Sequence, residues 1–110
     1  MEVPVSVPSQ QPVVLLDVIT NVPGVGLTYR FRYLAPHIGA GAEYDRDVAD
    51  MQHLCDSHAL KRLSGIGPVP NQIVITLADR PVAFGEMSPE AVQFFEAYRP
   101  GEGICIWEGF

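Results

Sequence analysis

Hydrophobic positions along this chain change their period several times, and each change marks an element. Val13 to Thr20 is a dense apolar and β-branched run broken only by Asp17, which predicts a strand. Asn21-Val22-Pro23-Gly24-Val25-Gly26 predicts a turn, because proline fixes φ and glycine admits positive φ. Leu27 to Tyr33 then alternates strictly, with Leu27, Tyr29, Phe31 and Tyr33 on one face and Thr28, Arg30 and Arg32 on the other. The first face is expected to enter the core and the second to meet water. Both runs and their turn predict a β-hairpin.

Residues 35–43 are too rich in Gly, Ala and Pro for regular structure and read as a loop leading into a helix. Asp45 is the expected N-cap, and the helix runs to about Leu63. Val48, Met51, Leu54, Cys55, Ala59 and Leu63 recur at three- and four-residue intervals as its buried stripe. Asp47 and Asp50 lie early and Lys61 and Arg62 late, which complements the helix dipole. Gly65, Gly67, Pro68 and Pro70 end it. Ile73-Val74-Ile75-Thr76-Leu77 is apolar on both faces and predicts a central strand. Asp79-Arg80-Pro81 turns the chain, and Val82-Ala83-Phe84 is expected to return as a short strand. Ser88-Pro89-Glu90 carries N-cap and first-turn signals, predicting a second helix to about Tyr98 that buries Ala91, Phe94, Phe95 and Tyr98. A last strand covers Gly103 to Phe110.

The expected order is β-β-α-β-(β)-α-β, an α+β fold. It reads as a two-layer sandwich, with two helices on one face of a mainly antiparallel sheet. Without its first strand the order is that of a ferredoxin-like variant. In that fold, however, the first strand already has two neighbours and could not also take a hairpin partner, so strand order stays open. Residues 1–12, with Pro4, Pro8 and Pro12, read as a flexible lead-in, and 13–110 as a single domain.

Composition narrows the partners. Hydrophobic residues make up 47% of the 110 positions and charged residues 18%, a globular balance. The formal net charge is −6, and Lys61 is the only lysine. With no basic run to release counterions, nucleic acid is not an expected partner, and anionic membrane surfaces are disfavoured likewise. No stretch reaches the roughly 20 apolar residues of a membrane helix. Met1 to Pro12 has no apolar signal core and resembles the start of a mature exported chain. Cys55 and Cys105 can form one bridge in an oxidising compartment, or remain buried thiols in the cytosol.

Chemistry is sparsely signalled. Asp50, His53 and Ser57 fall on one helix face at spacings of three and four, expected to be the solvent side. An Asp50–His53 pair could orient an imidazole or give two metal ligands. A polar helix surface is the simpler reading, because spacing supplies no nucleophile or third ligand, and no metal is expected. Cys55 beside His53 or His58 reads as structural, since it belongs to the apolar stripe of an acidic segment. Arg30 and Arg32 alternate on an exposed strand face, where two guanidinium groups suit a carboxylate or phosphate or a weak surface pair with Asp17. Trp107 reads as core, or as a ligand platform near the C-terminus. The glycines form no GxGxxG or Walker pattern, so no nucleotide or other cofactor is implied.

Four segments carry a resemblance: Ala49 to Asp56, Leu77 to Pro81, Phe94 to Pro100, and the ending Cys105 to Phe110. Together they resemble a family of short exported alphaproteobacterial proteins of unknown function, some of which bear the automatic label acetolactate synthase. The likeness runs from about Pro12 onward. It implies a periplasmic or secreted location and, with that, a Cys55–Cys105 disulfide. It carries over no catalytic residue, and the chain is too short for the cofactor site of a thiamine-dependent synthase. The leading expectation is a non-enzymatic periplasmic binding or accessory domain, its partner another protein or a small ligand. A small enzyme or metal-binding protein using Asp50 and His53 is the second expectation, and a regulatory small-molecule domain the third.

Overall fold

The computed structural model describes residues 3–20, 26–39 and 44–108. Among them six strands form one mixed sheet in sequential order: β1 (Val3–Pro4), β2 (Val14–Ile19), β3 (Thr28–Leu34), β4 (Gln72–Ala78), β5 (Gln93–Pro100) and β6 (Cys105–Trp107). The expected hairpin is present, with Val18 opposite Phe31 and a register shift between Leu15 and Asp17. Its turn over 21–25 lies outside the described residues. β3 pairs with β4 in parallel, Phe31 opposite Ile75, whereas the other neighbouring pairs are antiparallel. Parallel neighbours need a long crossover, and the helical run over 44–66, here α1, supplies it.

α1 lies on one face of the sheet. Tyr29, Phe31 and Tyr33 of β3, Ile73, Ile75 and Leu77 of β4 and Tyr98 of β5 meet Met51, Leu54, Cys55, Ala59 and Leu63 in one buried cluster. Each large apolar side chain taken out of water contributes about 1.5–3 kcal/mol. β4 is buried along nearly its whole length, as its two apolar faces foretold. Tyr44 is already helical, so Asp45 and Asp47 sit in the first turn, and Asp45 is not the cap. The stripe holds except at Val48, which is half-buried. From Cys55 to Ala59 the helix widens into a π turn, where the Leu60 N–H donates to the Cys55 carbonyl, and then tightens over Leu60–Arg62.

Three expectations are corrected. Residues 93–100 are strand β5, so one helix, not two, covers the sheet. Phe94, Phe95 and Tyr98 fit a helical stripe locally, but Phe94, Glu96 and Tyr98 also alternate, and β4 needs a neighbour on its second edge. Ser88-Pro89-Glu90 makes a turn instead, closed by the Ala91 N–H donating to Ser88 O at 3.0 Å. Second, Val82-Ala83-Phe84 is not a strand but part of a loop over 79–92. Third, sequential strand order with a single helix is not the ferredoxin-like arrangement.

Side chains close the ends of these elements. Asn71 accepts the Leu27 N–H through Oδ1 and donates its own N–H to Leu27 O, both at 2.8 Å, clasping the starts of β3 and β4. Gly26 sits against this clasp at φ +74°, where a Cβ would come within 2.7 Å of Asn71 Oδ1, so glycine is required. At the sheet edge, Gln52 of α1 donates to Cys105 O at 2.9 Å and Asp56 accepts the Cys105 N–H at 2.7 Å. These two side chains occupy the outward backbone groups of an edge strand that would otherwise be open to pairing. In the lead-in over 1–12, Val7 is buried and Val5 N–H donates to Val13 O, at the start of the domain.

The Cys55–Cys105 disulfide is formed, with Cα atoms 5.9 Å apart and both residues buried. It staples α1 to β6 across 50 residues, worth about 4 kcal/mol in the chain-entropy model. Replacing both cysteines with alanine is expected to lower unfolding free energy by about 2–4 kcal/mol in urea melts; an unchanged midpoint would show that the bridge stabilises nothing.

Candidate functional site

The sheet face away from α1 is partly covered by the loop over 79–92. Hydrogen bonds hold the loop's two ends together: Asp79 N–H donates to Val92 O, and Val92 N–H donates to Asp79 Oδ1, each at 3.0 Å. A hydrogen bond from Arg80, with help from that of Val92, holds the Asp79 carboxyl below its usual range. At the loop's tip Glu86 N–H donates to Ala83 O, and Gly85 takes φ +81° at the turn. This turn carries Phe84 back over the sheet.

Between loop and sheet lies a cleft of about 350 Å³, near the low end of small-molecule sites, roughly 300–1,000 Å³. β3 contributes Arg30 and Arg32, β4 Thr76, β5 Gln93 and Phe95, and the loop Phe84 and Glu86. Strand register explains the grouping, because Arg32 lies opposite Thr76, which lies opposite Phe95. Both guanidinium groups sit by the Phe84 ring, 5.9 Å and 5.7 Å from its centroid, at cation–π range. Phe84 and Phe95 remain 47% and 49% exposed, which leaves apolar surface for an occupant.

The two arginines differ in their ties. Arg32 pairs with Asp17 at 3.3 Å and donates to Val82 O. Among the described residues Arg30 has neither hydrogen bond nor ion pair, and its buried Nε–H has no acceptor. A buried donor left unsatisfied costs about 1–3 kcal/mol. Arg30 and Arg32 thus do share a face, but they are half-buried there and not in open water as their alternation suggested.

The other sequence candidates lie elsewhere. Asp50 is 1% exposed, not on the solvent side, because residues 9–11 cover it: Ser9 donates through N–H and Oγ, and Gln11 Nε2 donates to both Asp50 and Asp47. His53 is half-buried and shares no hydrogen bond with Asp50 among the described residues. Trp107 is 61% exposed at the sheet edge, outside the cleft, and its Nε1–H donates to Glu96, which also accepts from Tyr44 at 3.0 Å. Phe84, Glu86, Gln93 and Phe95 escaped the sequence reading. Alternation could have signalled Gln93 and Phe95, had residues 93–100 been read as a strand, but not Phe84 and Glu86, which lie in the loop.

One titratable pair is buried under α1. Tyr33 Oη and His58 Nδ1 lie 2.8 Å apart, and His58 Nε2 is buried without a partner among the described residues. Burial, reinforced by the nearby Arg62 charge, pulls the imidazole down to about 4; burial pushes the Tyr33 phenol well above its ordinary value. The pair is a neutral interior contact, remote from the cleft's lining. No group of three or more His, Cys, Asp or Glu side chains suited to a metal occurs among the described residues. None of their helices is long and apolar enough to cross a membrane.

The family model described as "Family of unknown function (DUF6497)" matches residues 1–110. No curated protein and no solved structure matches the chain.

The His58 geometry fixes a pH dependence. A base whose folded value lies at about 4 against 6.5 binds its proton more readily when unfolded. Its contribution is therefore complete above pH 6.5 and is lost as pH falls toward 4, at up to about 1.4 kcal/mol per unit. Urea melts from pH 7 to 4.5 are expected to show this slope, and His58→Gln to flatten it; equal slopes in both proteins would contradict the assignment.

Proposed function

The chain belongs to DUF6497, a family of unknown function, and we propose that it is a non-enzymatic binding domain whose cleft at Arg30 takes the anionic group of a small ligand. Arg30 carries this reading. It is a half-buried cation with an unpartnered Nε–H, lining a cleft that also has two half-exposed phenyl rings in its wall. A carboxylate suits a guanidinium fork through paired hydrogen bonds, while Phe84 and Phe95 would cover an apolar substituent. Arg32, already engaged by Asp17 and Val82, would hold the sheet–loop wall in place and add positive potential.

Binding without turnover is favoured because Thr76 and Glu86, the lining's hydroxyl and carboxylate, share no hydrogen bond that would pair a nucleophile with a base among the described residues. A periplasmic or secreted home is part of the proposal. It draws support from the buried disulfide, which persists in oxidising compartments and is rare in reducing ones.

Calorimetric titration with 3-phenylpropionate and with its neutral amide tests the reading. The carboxylate is expected to bind and the amide to fail. Arg30→Gln is expected to weaken the carboxylate at least about tenfold, the worth of one charged hydrogen bond, without lowering the thermal midpoint. Equal binding of the acid to wild type and Arg30→Gln would refute a role for this residue.

A further inference from the structure

The cleft presents a second unused charge. Glu86 follows the turn that sets Phe84 over the arginines, and its side chain has no hydrogen bond or ion pair among the described residues. Arg30 and Glu86 are thus opposite charges lining one cleft, neither neutralised by the other nor by a neighbour. Asp17 and Arg32, beside them, do pair. The half-exposed rings of Phe84 and Phe95 and the neutral polar Gln93 and Thr76 line the same cleft.

We infer that the ligand is a free α-amino acid with an apolar side chain, its carboxylate on Arg30, its ammonium on Glu86 and its side chain against Phe84 and Phe95. This rests on the anion-binding reading above and adds the cationic half of the ligand. An α-amino acid carries both charges on one carbon, whereas a peptide terminus supplies only one of them beside its end residue. Its small size fits a cleft of about 350 Å³, and its zwitterion leaves the net charge of the complex unchanged. Gln93 supplies both a donor and an acceptor for whichever group lies nearer β5.

The experiment compares phenylalanine, 3-phenylpropionate and phenylalaninamide by calorimetry on the full chain at low salt, with wild type and Glu86→Gln. Phenylalanine is expected to bind about three- to tenfold tighter than 3-phenylpropionate, the worth of one partly screened ion pair. Raising the salt shrinks this margin, and Glu86→Gln abolishes it without weakening 3-phenylpropionate, whose carboxylate loses a like-charged neighbour. Phenylalaninamide, lacking the carboxylate, is expected to bind at least tenfold more weakly than phenylalanine. If 3-phenylpropionate binds as tightly as phenylalanine and Glu86→Gln changes neither, the zwitterion is overturned and the anion site stands. If none of the three binds, both fall. Glu86 is exposed and outside every strand, so its replacement does not threaten folding.

Discussion

The parallel pairing of β3 with β4 is the constraint from which the rest of this molecule follows. Two strands running the same way cannot be joined by a short turn, so the chain must cross the sheet, and α1 is that crossing. One sheet face is thereby committed to the helix and receives the aromatic and branched side chains of β3 and β4. The opposite face is left to whatever else the chain can lay over it, and the loop between β4 and β5 covers only part. A cleft on that side is what remains when the one crossover helix covers only one of the sheet's two faces.

Both sides of the sheet hold satisfied polar groups and unsatisfied ones. On the helix side Gln52 and Asp56 take up the Cys105 backbone, and Ser9 and Gln11 take up Asp50, while Gln11 Oε1, Asp47 Oδ2, His58 Nε2 and Tyr98 Oη are buried without a hydrogen-bond partner among the described residues. The disulfide ties the same edge to the helix. On the other side Arg32 is anchored twice, while Arg30, two residues away on the same strand face, has the Phe84 ring but no hydrogen bond or ion pair among the described residues. A half-buried donor kept without an acceptor is a standing cost, and such costs are commonly retained where a site needs an unspent interaction.

Much of the fold was legible because its periods are clean. Tyr29, Phe31 and Tyr33 alternate without ambiguity, and Met51, Leu54, Cys55, Ala59 and Leu63 keep helical spacing despite the π turn. Phe94 to Tyr98 was not legible, since its apolar residues satisfy both periods and only the unfilled edge of β4 decides between them. Asp50 was misplaced for a related reason: helical spacing assigns it to the outer face, but the proline-rich segment over 3–13 returns to cover that face. Within the candidate site, Arg30 and Arg32 could be read off the alternation of one strand. Their ring of neighbours could not, because Phe84 and Glu86 come from a loop whose return over the sheet has no periodic signature.

The central claim concerns one N–H group, and nitrogen–proton NMR of the arginine side chains observes it directly. During titration with 3-phenylpropionate, the Arg30 Nε–Hε resonance is expected to move downfield and saturate, together with the ring signals of Phe84 and Phe95, while Arg99 Nε–Hε stays in place. An Arg30 resonance that does not move, with saturable shifts confined to residues outside the cleft, would contradict the account.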